Sequence, residues 1–223
     1  MKKRIIIIVL SILAVVLMAV AVFWTHITEY FDQLYGTIDK PVIYMYPEEE
    51  SEIAVLLGYP ERLTVSYPKY SEGWDVIASP DGSIVDKSTG RELYALYYEA
   101  NNEMQFDVCS DGFVIEGTED ALVPFFEEKL ALLGLNYKES EEFIIYWTPI
   151  LMEYDYVYIR FASEDEINDA MPLSITPAPD TTIRVLMTYK GLDKPLDVEE
   201  QIIEPVQRNG YVVVEWGGTE IVD

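Results

Sequence analysis

The sequence predicts an α+β fold: an antiparallel β-rich domain, sheet or sandwich, with a two-helix insertion, preceded by one N-terminal transmembrane helix. Three observations predict it. Residues 5–24 form an apolar run in which Ser11 is the only polar side chain. Beyond residue 40, short runs with two-residue alternation recur between Gly, Pro, Asn and Asp clusters, about nine or ten strands in all. Midway, residues 119–151 switch to the three-and-four spacing of amphipathic helices.

A helix rises about 1.5 Å per residue, so the apolar run reaches roughly 30 Å, the thickness of a bilayer's hydrocarbon. Lys2, Lys3 and Arg4 precede it, and no Lys or Arg follows before Lys40. That asymmetry predicts a cytoplasmic tip at residues 1–4, a signal-anchor at 5–24, a juxtamembrane stalk at 25–39 and an extracytoplasmic domain at 40–223. The membrane is then a partner through residues 5–24. A cleavable signal peptide has an apolar core of about 7–15 residues, shorter than this run. Ala19-Val20-Ala21 is the one stretch that imitates a cleavage site, and cutting there would make the protein secreted.

Each element of the domain follows from local pattern. In residues 40–47 (KPVIYMYP), Val42, Tyr44 and Tyr46 share one face of a strand and Ile43 and Met45 the other. Residues 53–57 and 62–67 read as a hairpin around Gly58-Tyr59-Pro60-Glu61. Residues 74–78 pair with 83–85 across Pro80-Asp81-Gly82. Residues 91–100 are apolar on both faces, which predicts a central, doubly covered strand, and 107–116 a hairpin or bulged strand. Leu122, Phe125, Phe126, Leu130 and Leu133 then make one helical stripe, with Pro124 expected near the first turn and Gly134 at the C-cap. Asn136 with Glu139 is a capping box for a second helix carrying Phe143, Ile144, Trp147 and Leu151, which Pro149 ends or kinks. Residues 154–161 alternate Val157, Ile159 and Phe161 against Tyr154, Tyr156, Tyr158 and Arg160. Ser163 and Glu166 cap a short helix, residues 177–180 are an extended connector, and 182–189 and 211–216 are strands, the last after Asn209-Gly210.

Composition excludes whole classes of chemistry. With Lys2, Lys3 and Arg4 set aside, forty acidic residues stand against twelve basic ones, a net charge of about −28. Such a charge repels nucleic acid, which is excluded as a partner. The single histidine, His26, lies at the membrane boundary, so the domain has no Ser–His–Asp or Cys–His machinery and no histidine-ligated metal. Cys109 is the only cysteine, which rules out an internal disulfide and predicts a small buried hydrophobe. No phosphate loop or EF-hand spacing is present, and no cofactor or metal is expected.

The stretches KPVIYMYP (40–47), GWDVIASPDG (73–82), LGLNYKESEEFIIYW (133–147) and RNGYVVVEWGG (208–218) resemble, in this order, a family of uncharacterised bacterial proteins. The resemblance spans residues 40–218. It implies one domain over that range and carries no activity and no catalytic residues.

Three functions remain. The first is a binding or structural module of the cell envelope whose partner is a wall polymer or an envelope protein. Seventeen tyrosines suit it, and the candidate ligand-binding residues are Tyr70, Trp74, Tyr154, Tyr156 and Tyr158; the competing expectation is that these aromatics are core. The second is a carboxylate-dependent hydrolase of a wall polymer, with Glu99 and Glu215 as the candidate catalytic pair, each set among apolar strand residues. Against it stands the expectation that both acids pair with Arg160, Arg184 or Arg208 as internal ion pairs. The third is calcium binding by the loops at 48–52 and 81–86.

Overall fold

The structure, a computed structural model, describes residues 16–23 and 36–222. Residues 16–23 are helical with exposed side chains; the rest of the 5–24 run and the stalk up to residue 35 lie outside the described residues. Among the described residues no helix is long and apolar enough to cross a membrane.

The domain is α+β and has three layers around a mixed eight-stranded sheet. That sheet runs in the order β12-β8-β9-β11-β13-β1-β7-β3. Its members are β1 (Thr37–Tyr46), β3 (Leu63–Tyr67), β7 (Leu96–Asn101), β8 (Asp111–Glu116), β9 (Tyr156–Phe161), β11 (Thr181–Leu192), β12 (Glu199–Glu200) and β13 (Val212–Glu220). A second sheet, β10-β2-β4-β5-β6, uses Leu173–Thr176, Ser51–Leu57, Trp74–Ala78, Ile84–Asp86 and Glu92–Leu93 respectively. Helices α1 (Glu119–Leu132) and α2 (Tyr137–Leu151) are the insertion, and α3 (Glu164–Ala170) is the short capped helix.

Two-residue alternation decides which core each strand feeds. On β1, Ile43 and Met45 enter the core shared with the small sheet and α3, while Val42 and Tyr44 enter the core under α1 and α2. On β13, Val213 follows the first pair, and Val212, Val214 and Trp216 the second. A strand buried on both faces must be apolar throughout, and β13 exposes only Glu220.

The helices form where caps and stripes agree. Asn136 accepts from the backbone N–H of Lys138 and Glu139, and Glu139 accepts in return from the Asn136 N–H. Ser163 and Glu166 do the same for α3. Pro124 and Pro149 sit inside α1 and α2 rather than bounding them. Both prolines are exposed, as are Asp120 and Ile145, whose carbonyls lose their helical donors and meet water instead.

Four expectations are corrected. The sheet is not wholly antiparallel: β11 runs parallel to β13, and β12 to β8. The runs at 53–57 and 62–67 form no hairpin. β2 already has β10 and β4 on its two sides, so the chain crosses to the large sheet, where β3 pairs with β7. Residues 91–100 divide between the two sheets, β6 on one edge and β7 on the other sheet. Residues 107–110 belong to no strand, and Cys109 among them is half-buried rather than core.

Close packing against β13 makes Gly218 irreplaceable. A Cβ there would lie 2.5 Å from the Trp147 ring. Gly218→Ala should therefore cost about 1–3 kcal/mol of stability, read as a lowered urea midpoint with an unchanged slope.

Candidate functional site: a tyrosine-lined seam between β1 and α2

Glu139, Glu142 and Tyr146 fall at i, i+3 and i+7 on α2, so they form one stripe along the helix. That stripe lies over the β1 positions Tyr46, Tyr44 and Lys40, and each turn makes a different polar contact. At the first turn the fully buried Glu139 binds Arg208, with Nη1 2.8 Å from Oε2. The Arg208 guanidinium stands 5.0 Å from the Tyr46 ring centre, and Asn136 donates to the Tyr46 hydroxyl at 3.2 Å. At the next turn the Tyr44 hydroxyl donates to Glu142 at 2.7 Å. Burial, then the Glu142 carboxylate, pushes the Tyr44 phenol far above its ordinary range.

The third contact depends on a break in β1. Its register slips against both neighbours between residues 38 and 42, and Lys40 takes a left-handed backbone with φ of 58°. The Lys40 ammonium then sits 5.1 Å from the Tyr97 ring and 5.5 Å from the Tyr146 ring. Tyr97 donates a short hydrogen bond to Glu99. Thr37 donates to Asp39 at 2.6 Å. Burial, followed by the charges of Glu99 and Glu220, raises the Asp39 carboxyl above its ordinary value despite the Thr37 bond.

Beside the first two contacts opens a cleft of about 430 Å³, walled by Tyr44, Tyr46, Tyr94, Tyr137 and Glu142 and floored by the Asp81-Gly82-Ser83 turn of the small sheet. Gly82, with φ of 87°, lets that turn abut Tyr46: a Cβ would lie 2.7 Å from the ring. Residues 40–47, 73–82, 133–147 and 208–218 all contribute to this seam or to β13 beneath it.

The residues singled out from sequence lie elsewhere or apart. Glu215 projects to the small-sheet side with Val213, where Arg184 Nε is 2.5 Å away and Tyr98 donates at 2.7 Å. Arg184 also donates to Asn168 and to the Met171 carbonyl, so the charge pair is saturated. The void beside it measures about 10 Å³, room for no substrate. Glu99 lies on the helix side with Tyr97, the opposite face of the same sheet. The two acids therefore do not flank a common bond, as a hydrolytic pair must. Of the expected ion pairs, Arg184–Glu215 forms; Arg160 instead binds Glu166, and Arg208 binds Glu139.

Trp74 is buried, donates to the Pro68 carbonyl at 2.8 Å and meets Tyr70 edge-on at 4.8 Å, while the Tyr70 hydroxyl accepts from the Leu57 N–H. Tyr158 is fully buried, and its hydroxyl bridges Cys109 and Asp111 backbone groups. Tyr154 packs over Gly191 and donates to Glu220, and Tyr156 is half-buried. These five rings form no common open surface. Among the described residues no group of three or more His, Cys, Asp or Glu could hold a metal ion. Asp81 and Asp86 instead accept from Ser83, Ser88 and Thr89 within their own turns.

Sequence reading missed Tyr94, Tyr137, Glu142 and Lys40 as site residues. The signal was present in two places, the stripe of Glu139, Glu142 and Tyr146 and the shared face of Tyr44 and Tyr46, but their facing each other is a tertiary fact. Comparison of the chain with known protein families, curated proteins and solved structures finds no match.

Two measurements probe these electrostatics. Arg184→Met leaves Glu215 buried without its counter-charge and should cost about 3–5 kcal/mol by urea unfolding; adding Glu215→Gln, which keeps an acceptor for Tyr98, should recover much of that loss. For Asp39 the folded carboxyl holds its proton more tightly than the unfolded one. Its ionisation thus costs stability, by an amount that is nil below the ordinary carboxylate range and complete above the raised value. Asp39→Asn should raise Tm by about 1–3 °C at pH 7 and leave it unchanged near pH 3, as read by calorimetry.

Proposed function

We propose that the chain is a binding module of the cell envelope, anchored in the membrane by residues 5–24 and presenting its tyrosine-lined cleft on the extracytoplasmic side. The observation that carries the binding reading is the cleft. Tyr94 and Tyr137 remain 63% and 75% exposed at its mouth, although burial of such rings is worth a great deal to folding. Exposed rings converging with Glu142, Asn136 and Asp81 on one concavity supply flat apolar faces and fixed polar groups, the combination that recognises a ligand.

The anchor and its sidedness are supported by the apolar run and by Lys2, Lys3 and Arg4 ahead of it. The net charge of about −28 outside that segment disfavours polyanionic polymers. It leaves a neutral or cationic envelope component: a glycan strand, a wall peptide, or a basic protein segment. Placement of Glu99 and Glu215 on opposite faces favours binding without bond cleavage.

The test is calorimetric titration of the full-length protein in detergent with solubilised peptidoglycan fragments, with chromatography of the mixture afterwards. Saturable binding without new products is expected, and Tyr94→Ala with Tyr137→Ala should weaken it at least about tenfold at unchanged Tm. Fragments that bind the double variant as well as the parent would move the site elsewhere. Cleaved products would replace the binding module with a hydrolase.

A further inference from the structure

We propose that the ligand group seated against Tyr94 and Glu142 is an ammonium, the side-chain or terminal amine of a peptide; this deepens the binding reading and rests on it.

Two successive turns of α2 differ in what fills them. At the Tyr146 turn, two tyrosine rings enclose the Lys40 ammonium at 5.1 and 5.5 Å, with Glu99 bonded to one of those tyrosines. One turn back, Tyr44 and Tyr94 stand 6.4 Å apart with planes inclined at 38°, and Glu142 is bonded to Tyr44 at 2.7 Å. Both arrangements combine tyrosine rings with a carboxylate bonded to one hydroxyl, but in the second Tyr44 is buried in the core and Tyr94 supplies the exposed face. The chain fills the first with its own lysine, and the second opens into the cleft.

Charge accounting points the same way. Glu139, a turn earlier on the stripe, is neutralised by Arg208. No lysine or arginine among the described residues forms an ion pair with Glu142, although it is half-buried. Lys138 lines the same cleft, but it is exposed at the rim and its charge acts on Asp81. A partly desolvated carboxylate beside the exposed Tyr94 ring, in a domain of large negative charge, attracts a cation both at long range and in contact. An ammonium also has protons to give to Glu142 Oε1, while the Tyr44 hydroxyl occupies Oε2.

The experiment compares three probes against the full-length protein in detergent: Nα-acetyl-lysine methylamide, the same compound acetylated on Nε, and the neutral tetramer of N-acetylglucosamine. The free amine should bind at least about tenfold more tightly than its acetylated form, and added salt should reduce the difference. Glu142→Gln, which keeps an acceptor for Tyr44, and Tyr94→Ala should each abolish the difference. Glu61→Gln, an exposed acid on the 3₁₀ turn at Pro60–Arg62, should leave it intact. Equal binding of the two lysine derivatives would overturn the ammonium assignment, as would a preference that survives Glu142→Gln. Tyr94-dependent binding of the glycan alone would overturn it too while leaving the cleft as a binding site. Failure of all three probes would count against both.

Discussion

The strand that everything else answers to is β13. It is hydrogen-bonded to β11 on one side and β1 on the other, and both of its faces are covered, so every residue of Val212–Thr219 is buried. Such a strand admits a charge only if the charge is fully paired, which is the position of Glu215 between Arg184 and Tyr98. It admits a large ring on the helix side only where its neighbour is small, so Trp216 packs against Phe143 and Gly218 receives Trp147. Through β1 the same strand sets the height of Tyr44 and Tyr46 beneath α2. The seam is thus a by-product of how the centre of the sheet is filled.

What the sequence made legible was whatever the chain decides locally. The alternation in Val42, Tyr44, Ile43 and Met45, and again in Val212 to Trp216, sorts those side chains between two cores as the pattern requires. The capping boxes at Asn136 and Ser163 form, and the turn at Pro80-Asp81-Gly82 joins β4 to β5. What was illegible is pairing between distant segments. Residues 62–67 have hairpin character next to 53–57, yet β10, from more than a hundred residues later, takes the place beside β2. The two-residue strand β12 pairs with β8 at the sheet edge and carries no pattern of its own. Glu99 and Glu215 have near-identical apolar surroundings in sequence, but parity puts them on opposite faces: Glu215 pairs with Ile43, whereas Tyr97, two residues from Glu99, pairs with Val42. The candidate site suffered likewise, because its parts come from β1, β4–β5, the loop before β7, and α2.

The aromatic count misled for a related reason. Tyrosine is half apolar, so a tyrosine-rich sequence predicts both a well-filled core and a sticky surface. Tyr98 and Tyr158 follow the first course, with hydroxyls spent on Glu215 and on backbone groups. Tyr94 and Tyr137 follow the second, and only exposure separates them. Ring type alone says nothing about which course a given tyrosine takes.

Cations are scarce in this domain, and their distribution carries the functional argument. Arg62, Lys87, Lys129, Arg160, Arg184 and Arg208 are each committed to a carboxylate, and Lys40 to two rings. The inward acids Glu139 and Glu215 take arginines, which is what burial demands. Among the described residues Glu142 receives a tyrosine hydroxyl and no cation, although it lies on the same stripe of the same helix as Glu139. Were the seam purely structural, the economical sequence would place an apolar residue there, as it does on the adjoining face of the helix at Phe143 and Trp147. A carboxylate retained at a half-buried position is held in place by Tyr44 and lines the cleft, which leaves one of its oxygens as an acceptor there.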